Sequence, residues 1–162
     1  MSSPTPTVDQ VLNAVESELR TINNPPAEVL HWESPVAREE ELLRDHRTAD
    51  GEISLATVGL ESARLVAGDA SGEDYQLYSV RVRYYYVSAV DPGESSRTGL
   101  TRAQLLIDEL DKNDSVFRIG GQAPLLGTAE TAELSAYGLQ AVGEFTVFVA
   151  EISLTVEARR WA

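Results

Sequence analysis

Apolar positions along this chain follow two periods, in alternating blocks. In the first block Val8, Val11, Leu12, Val15, Leu19 and Ile22 recur at helical spacing, which makes one apolar stripe on a helix. Thr7 with Gln10 matches a capping box at its start. Asn23-Asn24-Pro25-Pro26 ends it, because proline lacks a backbone donor and restricts the residue before it. The stripe has to pack on something, and a sheet suits it best.

The second period is two. Ile53, Leu55 and Thr57 alternate with Ser54, Ala56 and Val58, and the pattern runs on through Gly59 towards residue 66. Gly68-Asp69-Ala70-Ser71-Gly72-Glu73-Asp74 is turn chemistry. Residues 75–88 then read as a long strand. Tyr78, Val80, Val82, Tyr84 and Tyr86 share one face, and Tyr75, Leu77, Arg81, Arg83, Tyr85 and Val87 share the other. Both faces carry bulk, so the strand is central in a sheet or turns its second face to another subunit. Arg81 and Arg83 set that second face apart from plain core. A buried arginine needs carboxylate partners, and an interface can supply them.

After a loop at 90–96 the helical period returns in Leu100, Ala103, Leu106, Ile107 and Leu110, with Ser96 or Thr98 available as a cap. Residues 116–119 read as a short strand, and 125–138 as weakly patterned chain with room for another. Residues 140–161 close the chain as a long strand, which suits an antiparallel sheet. Phe148, Ala150, Ile152, Leu154 and Val156 lie on one face, and Phe145, Val147 and Val149 on the other. The switch near 148–150 predicts a bulge, or burial on both sides at the sheet centre.

Residues 1–6 read as a flexible arm and 24–51 as a long loop. The loop holds Pro25, Pro26, Pro35 and the run Glu39-Glu40-Glu41, with a short helix over 36–45 as an option. Trp32 within it is either a partner anchor or a plug folded back on the core.

Composition narrows the function classes. The 162 residues carry 26 acidic against 13 basic side chains, for a net charge of -13, and 43% are hydrophobic. That describes one globular domain spanning 1–162. An acidic chain repels phosphates, which argues against a general nucleic-acid binder. With no cysteine there is no disulfide framework, zinc-thiolate site or thiol nucleophile. Arginine takes 12 of the 13 basic places, Lys112 being the lysine. A GC-rich genome and a salt-loving host both produce that bias. The first residues lack the basic-then-apolar pattern of a signal peptide. The apolar stretch 145–156 is interrupted by Thr146, Glu151, Ser153 and Thr155, well short of the ~20 residues of a membrane-spanning helix. The expectation is a soluble protein made in the cytoplasm, with no membrane partner.

Searches for chemistry return nothing. Gly120-Gly121 precedes a proline and no helix, so it is no phosphate loop. A Gly-x-Ser-x-Gly elbow is absent. His31 with Glu33, and His46 with Asp50, fit no metal-ligand set, and Asp69, Glu73 and Asp74 lack the calcium-loop pattern. Asp108 and Glu109 are neighbours on a helix and do not face each other. The expectation is no catalytic residue, no cofactor, no metal and no enzyme activity. Tyr, Trp and Arg, the residue types that dominate interfaces, are well supplied instead. The candidate subunit or partner surface is Trp32, Arg81, Arg83, Tyr85, Arg159, Arg160 and Trp161.

The order of elements resembles the tail terminators, small tail-completion proteins of the neck of long-tailed, siphovirus-like viruses. The opening helix ending at Asn23-Asn24-Pro25-Pro26, the tyrosine-rich strand 78–87, the helix 96–111 with Leu106-Ile107-Asp108-Glu109-Leu110, and the closing strand ending Val156-Glu157-Ala158-Arg159 carry it. The resemblance covers most of the chain as a pattern of elements rather than a fixed motif. It implies an α+β fold, an antiparallel or mixed β-sheet with two helices packed on one face. It also implies a ring, expected to be a hexamer, that caps the tail tube, ends its polymerisation and joins the tail to the head. Implied partners are further copies of the chain, the tail tube protein and the head connector or stopper protein. Genome DNA would pass the lumen without specific binding, past an acidic lining that repels it. The implied place is the virion. Alternatives are another neck or tail component (a head-closure or stopper protein, or a tube subunit) or a non-viral α+β binding or dimerisation domain. If the Arg81/Arg83 face lies between subunits, Arg83→Glu weakens assembly and leaves the fold intact.

Overall fold

The computed structural model describes residues 8–21, 26, 28–31, 39–66, 75–88, 94–112 and 132–159. In chain order these form α1 (Val8–Thr21), β1 (Glu28–His31), α2 (Glu39–Asp45), β2 (Ile53–Val66), β3 (Tyr75–Val87), α3 (Ser95–Lys112), β4 (Ala132–Val142) and β5 (Phe145–Arg159). The strands make one five-stranded sheet in the order β1-β2-β3-β5-β4. β1 runs parallel to β2, and every other pair is antiparallel. The fold is α+β with a mixed sheet.

β3 and β5 lie inside the sheet because both of their faces carry buried side chains. Val80, Val82, Tyr84 and Tyr86 of β3 stand opposite Leu154, Ile152, Ala150 and Phe148 of β5. Together they form the main core with Ala56 and Val58 of β2. Register fits large to small. Tyr84 lies between Ala56 and Ala150, which leaves room for its ring to stack on Tyr86 at 6.4 Å between centroids. Its hydroxyl is buried but satisfied, 3.0 Å from the Ser54 hydroxyl. Such pairing keeps a polar tip inside the core without a desolvation penalty left open.

α1 and α3 cover this face, as two helices on one side of the sheet. α1 contributes Val11, Leu12, Ala14, Val15 and Leu19, and α3 contributes Ala103 and Leu106. The Arg20 guanidinium donates to the Val29 carbonyl at 2.8 Å and ties the end of α1 to β1. α3 comes unusually close to the sheet at Gly99. A Cβ there would lie 2.3 Å from Cδ1 of Phe148. Glycine inside a helix costs about 1 kcal/mol relative to alanine, and here it lets an aromatic ring seat against the helix backbone.

The opposite face is covered at one end. Leu43 of α2 packs on Ile53, Leu55, Tyr85, Phe145, Val147 and Val149, with Leu42 beside it. This explains the two-sided pattern of residues 145–154. β5 keeps an unbroken register with β3, so burial on both sides, and no bulge in that pairing, accounts for the apolar switch.

Several expectations change. The long loop 24–51 contains β1 and α2. The closing strand is a hairpin of β4 and β5, and the stretch read as weakly patterned supplies β4. Its turn is Gly143-Glu144, with Gly143 at φ +58, a left-handed conformation that glycine adopts without strain. α3 begins at Ser95, ahead of the expected caps, and the Ser95 hydroxyl accepts the Ser88 amide at 2.9 Å. The expected arm 1–6, capping residue Thr7 and strand 116–119 lie outside the described residues.

Gly99→Ala tests the close approach. It raises helix propensity, yet it should lower stability by about 1–3 kcal/mol through overpacking, read from urea unfolding. Adding Phe148→Leu to it should recover part of the loss. Equal or higher stability for the single variant would refute the contact.

Candidate functional site: a clamped sheet face and two sheet edges

Alternation on β3 puts Arg81, Arg83 and Tyr85 on the face opposite the main core. Register sets Arg83 between Thr57 of β2 and Glu151 of β5. The Arg83 Nη2 donates to Glu151 Oε1 at 2.6 Å, and its Nη1 lies 3.6 Å from Glu39 Oε1. The Tyr85 hydroxyl donates to the same Glu39 oxygen at 2.8 Å and accepts from Arg83 Nη1 at 3.5 Å. One guanidinium thus joins three elements: β3, β5 and the first residue of α2. Side-chain exposure is 20% for Arg83, 19% for Glu39 and 24% for Glu151. These charges are mostly out of water, where pairing is obligatory and loss of one partner is costly.

Arg81 makes a more open pair. Its Nη2 donates to Glu61 Oε1 at 2.8 Å, with 27% and 40% of the two side chains exposed. Exposed pairs of this kind contribute little. The far end of α2 is held similarly. Arg44 bonds Glu40 one turn back at 2.9 Å and reaches Glu144 in the β4–β5 turn at 3.4 Å. The Glu40 carboxylate lies directly against Gly143, where any Cβ would collide with it. A seven-residue helix is unstable alone. Leu43 beneath it and these ion pairs at its two ends hold it.

The protonation states follow from the geometry. Burial opposes the Arg83 charge, but the hydrogen bonds it donates to Glu151 and Tyr85, with their charges, outweigh it and its pKa lies above the ordinary value. Burial pushes the Tyr85 phenol well up; the Arg83 hydrogen bond pulls it down and the Glu39 bond pushes it up. Burial also raises Tyr78 and Tyr84, the latter against the hydrogen bond with Ser54. Tyr85 is therefore a proton donor to Glu39 wherever the protein is folded near neutral pH.

The arginines on this face have their carboxylates within the chain. No neighbouring subunit is needed to supply them, so Arg83→Glu bears on the fold itself as well as on any assembly. Of the other surface residues, Trp32, Arg160 and Trp161 lie outside the described residues. Arg159 ends β5, opposite Tyr75 of β3. Sequence reasoning missed Glu39, Glu61 and Glu151. Glu39 was hidden in a run that reads as a solvated face, and Glu151 becomes a partner only once the β3–β5 register is known. It also missed the sheet edge. Tyr137 and Leu139 of β4 are 62% and 50% exposed, and the β4 side chains at 135–137 and 139–141 are all open to solvent. At the other side β1 pairs only with residues 55–58 of β2, and beyond it Glu61, Ser62 and Ala63 are exposed. Asp50 serves a turn: its carboxylate bonds the Thr48 hydroxyl and the Glu52 amide, and both contacts lower its pKa. No helix among the described residues is long and apolar enough to cross a membrane.

Arg83→Glu places a third carboxylate beside Glu39 and Glu151 and should cost about 2–4 kcal/mol of unfolding free energy, whereas Arg81→Ala should cost about 1 kcal/mol or less. Equal effects from the two would contradict the clamp. The tyrosines give a pH signature. Their folded pKa values lie above the ordinary value of 10.0, so the folded state holds their protons more tightly than the unfolded chain. Stability is then full below pH 10 and falls as pH rises through and above it, by up to about 1.4 kcal/mol per pH unit for each phenol. Tyr85→Phe should flatten that fall, and an unchanged slope would remove Tyr85 from it.

No known protein family matches this chain, and no curated protein matches it.

Proposed function

We propose that this chain is a structural protein of the neck and tail of a long-tailed virus, a ring that caps the tail tube, ends its growth and joins it to the head connector. The observation that carries the reading is the layout: a mixed five-stranded sheet with α1 and α3 together on one face. This is the arrangement that resemblance to the tail terminators implies. The chemistry of the surface fits the role. A net charge of -13 keeps copies apart until a specific contact forms, and around a DNA channel it keeps the genome from adhering. On this reading the chain is not an enzyme. Its partners are its own copies, the tube protein and the head connector or stopper, and it resides in the virion.

Immunogold labelling of purified particles from cells that make the chain tests this. The expected result is label at the head–tail junction. Particles that lack the chain, or that carry it elsewhere, would overturn the reading.

A further inference from the structure

We propose that copies of this chain join head to tail by edge pairing, β4 of one copy adding onto the outer edge of β2 in the next. The choice of a second copy as occupant rests on the ring reading above, and the pairing names the surface that would build the ring.

Four observations converge. First, β4 bonds β5 along one side, and its side chains at 135–137 and 139–141 are exposed. Among the described residues it pairs with no other strand. Second, natural sheets block such edges with lysine, proline, a bulge or inward charge, and the bulge of β4 lies at the start of this stretch, between Leu134 and Ala136. The run Ala136-Tyr137-Gly138-Leu139-Gln140-Ala141-Val142 itself has no lysine, proline or charge. Its Tyr137 and Leu139, 62% and 50% exposed, offer apolar area that a neighbouring strand would bury. Third, among the described residues the opposite side of the sheet carries a second edge with no strand beside it. β1 stops at residue 58 of β2, while β2 continues paired with β3 to Val66. Pairing β4 with another β4 would leave that β2 edge open in every copy. Pairing β4 with β2 uses both edges, and a contact between two different surfaces is what generates a ring.

Fourth, charge permits the contact. Two chains at -13 repel each other, so they can meet only where acidity is absent or answered. Residues 136–142 are uncharged. Glu61 on the β2 edge is already neutralised by Arg81 at 2.8 Å.

Two single variants decide the matter: Leu139→Glu in β4 and Ala63→Glu in β2. Both positions are exposed, and far-UV circular dichroism with melting should match the wild type. Tyr137→Glu and Ser62→Glu stand in should either fail to fold. Light scattering after gel filtration in about 1 M salt, where charge repulsion is screened, reads the mass. The wild type should assemble, and each variant alone should run at the 17.7 kDa of one chain. An equimolar mixture of the two should form a dimer, because one intact β4 then meets one intact β2. A mixture that stays monomeric, or either variant assembling like the wild type, overturns edge pairing. Variants that assemble normally would leave a ring reading standing on some other contact. A wild type that is monomeric at every concentration overturns the edge pairing by itself, and the ring is then judged by the particle labelling alone.

Discussion

Arg83 is the constraint on which the rest of this structure depends. It sits on the central strand of the sheet, and its neighbours in register are Thr57 and Glu151. A guanidinium one-fifth exposed has to be neutralised where it stands. β5 supplies one carboxylate from the adjacent strand, and α2 supplies the other by laying Glu39 across the sheet. Tyr85 completes the arrangement by holding Glu39 in place. The same requirement therefore fixes the β3–β5 register and the seat of α2. Once α2 is seated, Leu43 closes the second apolar cluster and the far end of the helix meets the β4–β5 turn.

This organisation divides the sheet into regions with different duties. One face is a conventional core under α1 and α3. The other face is apolar beneath α2 and ionic beyond it. In the ionic part Arg81 and Arg83 meet Glu61, Glu39 and Glu151 of the same chain, which fastens α2 and the strands together. Among the described residues, the strand edges without a partner are those of β4 and the outer half of β2. A protein with this charge gains from such a division, since acidic faces stay hydrated and apart while neutral edges remain able to meet.

Much of the fold was legible because period and burial agree. The stripe of α1 and the two faces of β3 and β5 are dictated by side-chain periodicity, and the structure places their described apolar residues in or against the two clusters. The elements that escaped have weak patterns for physical reasons. β1 is four residues long, too short to show a period. α2 opens on three glutamates, which read as solvated. β4 is an edge strand whose bulge between Leu134 and Ala136 breaks the alternation, so the period of two fails where a strand exists. The clamp was legible in part. Two arginines on a sheet face announced a need for carboxylates, but their partners lie 20 and 68 residues away and only the fold brings them in.

The most direct test of the clamp is a double-mutant cycle between Arg83→Met and Glu151→Gln, by urea unfolding over a wide range of protein concentration. The account predicts a coupling of about 1–3 kcal/mol that is the same at every concentration, because both partners belong to one chain. Additive losses, or a coupling that emerges only as copies associate, would contradict it.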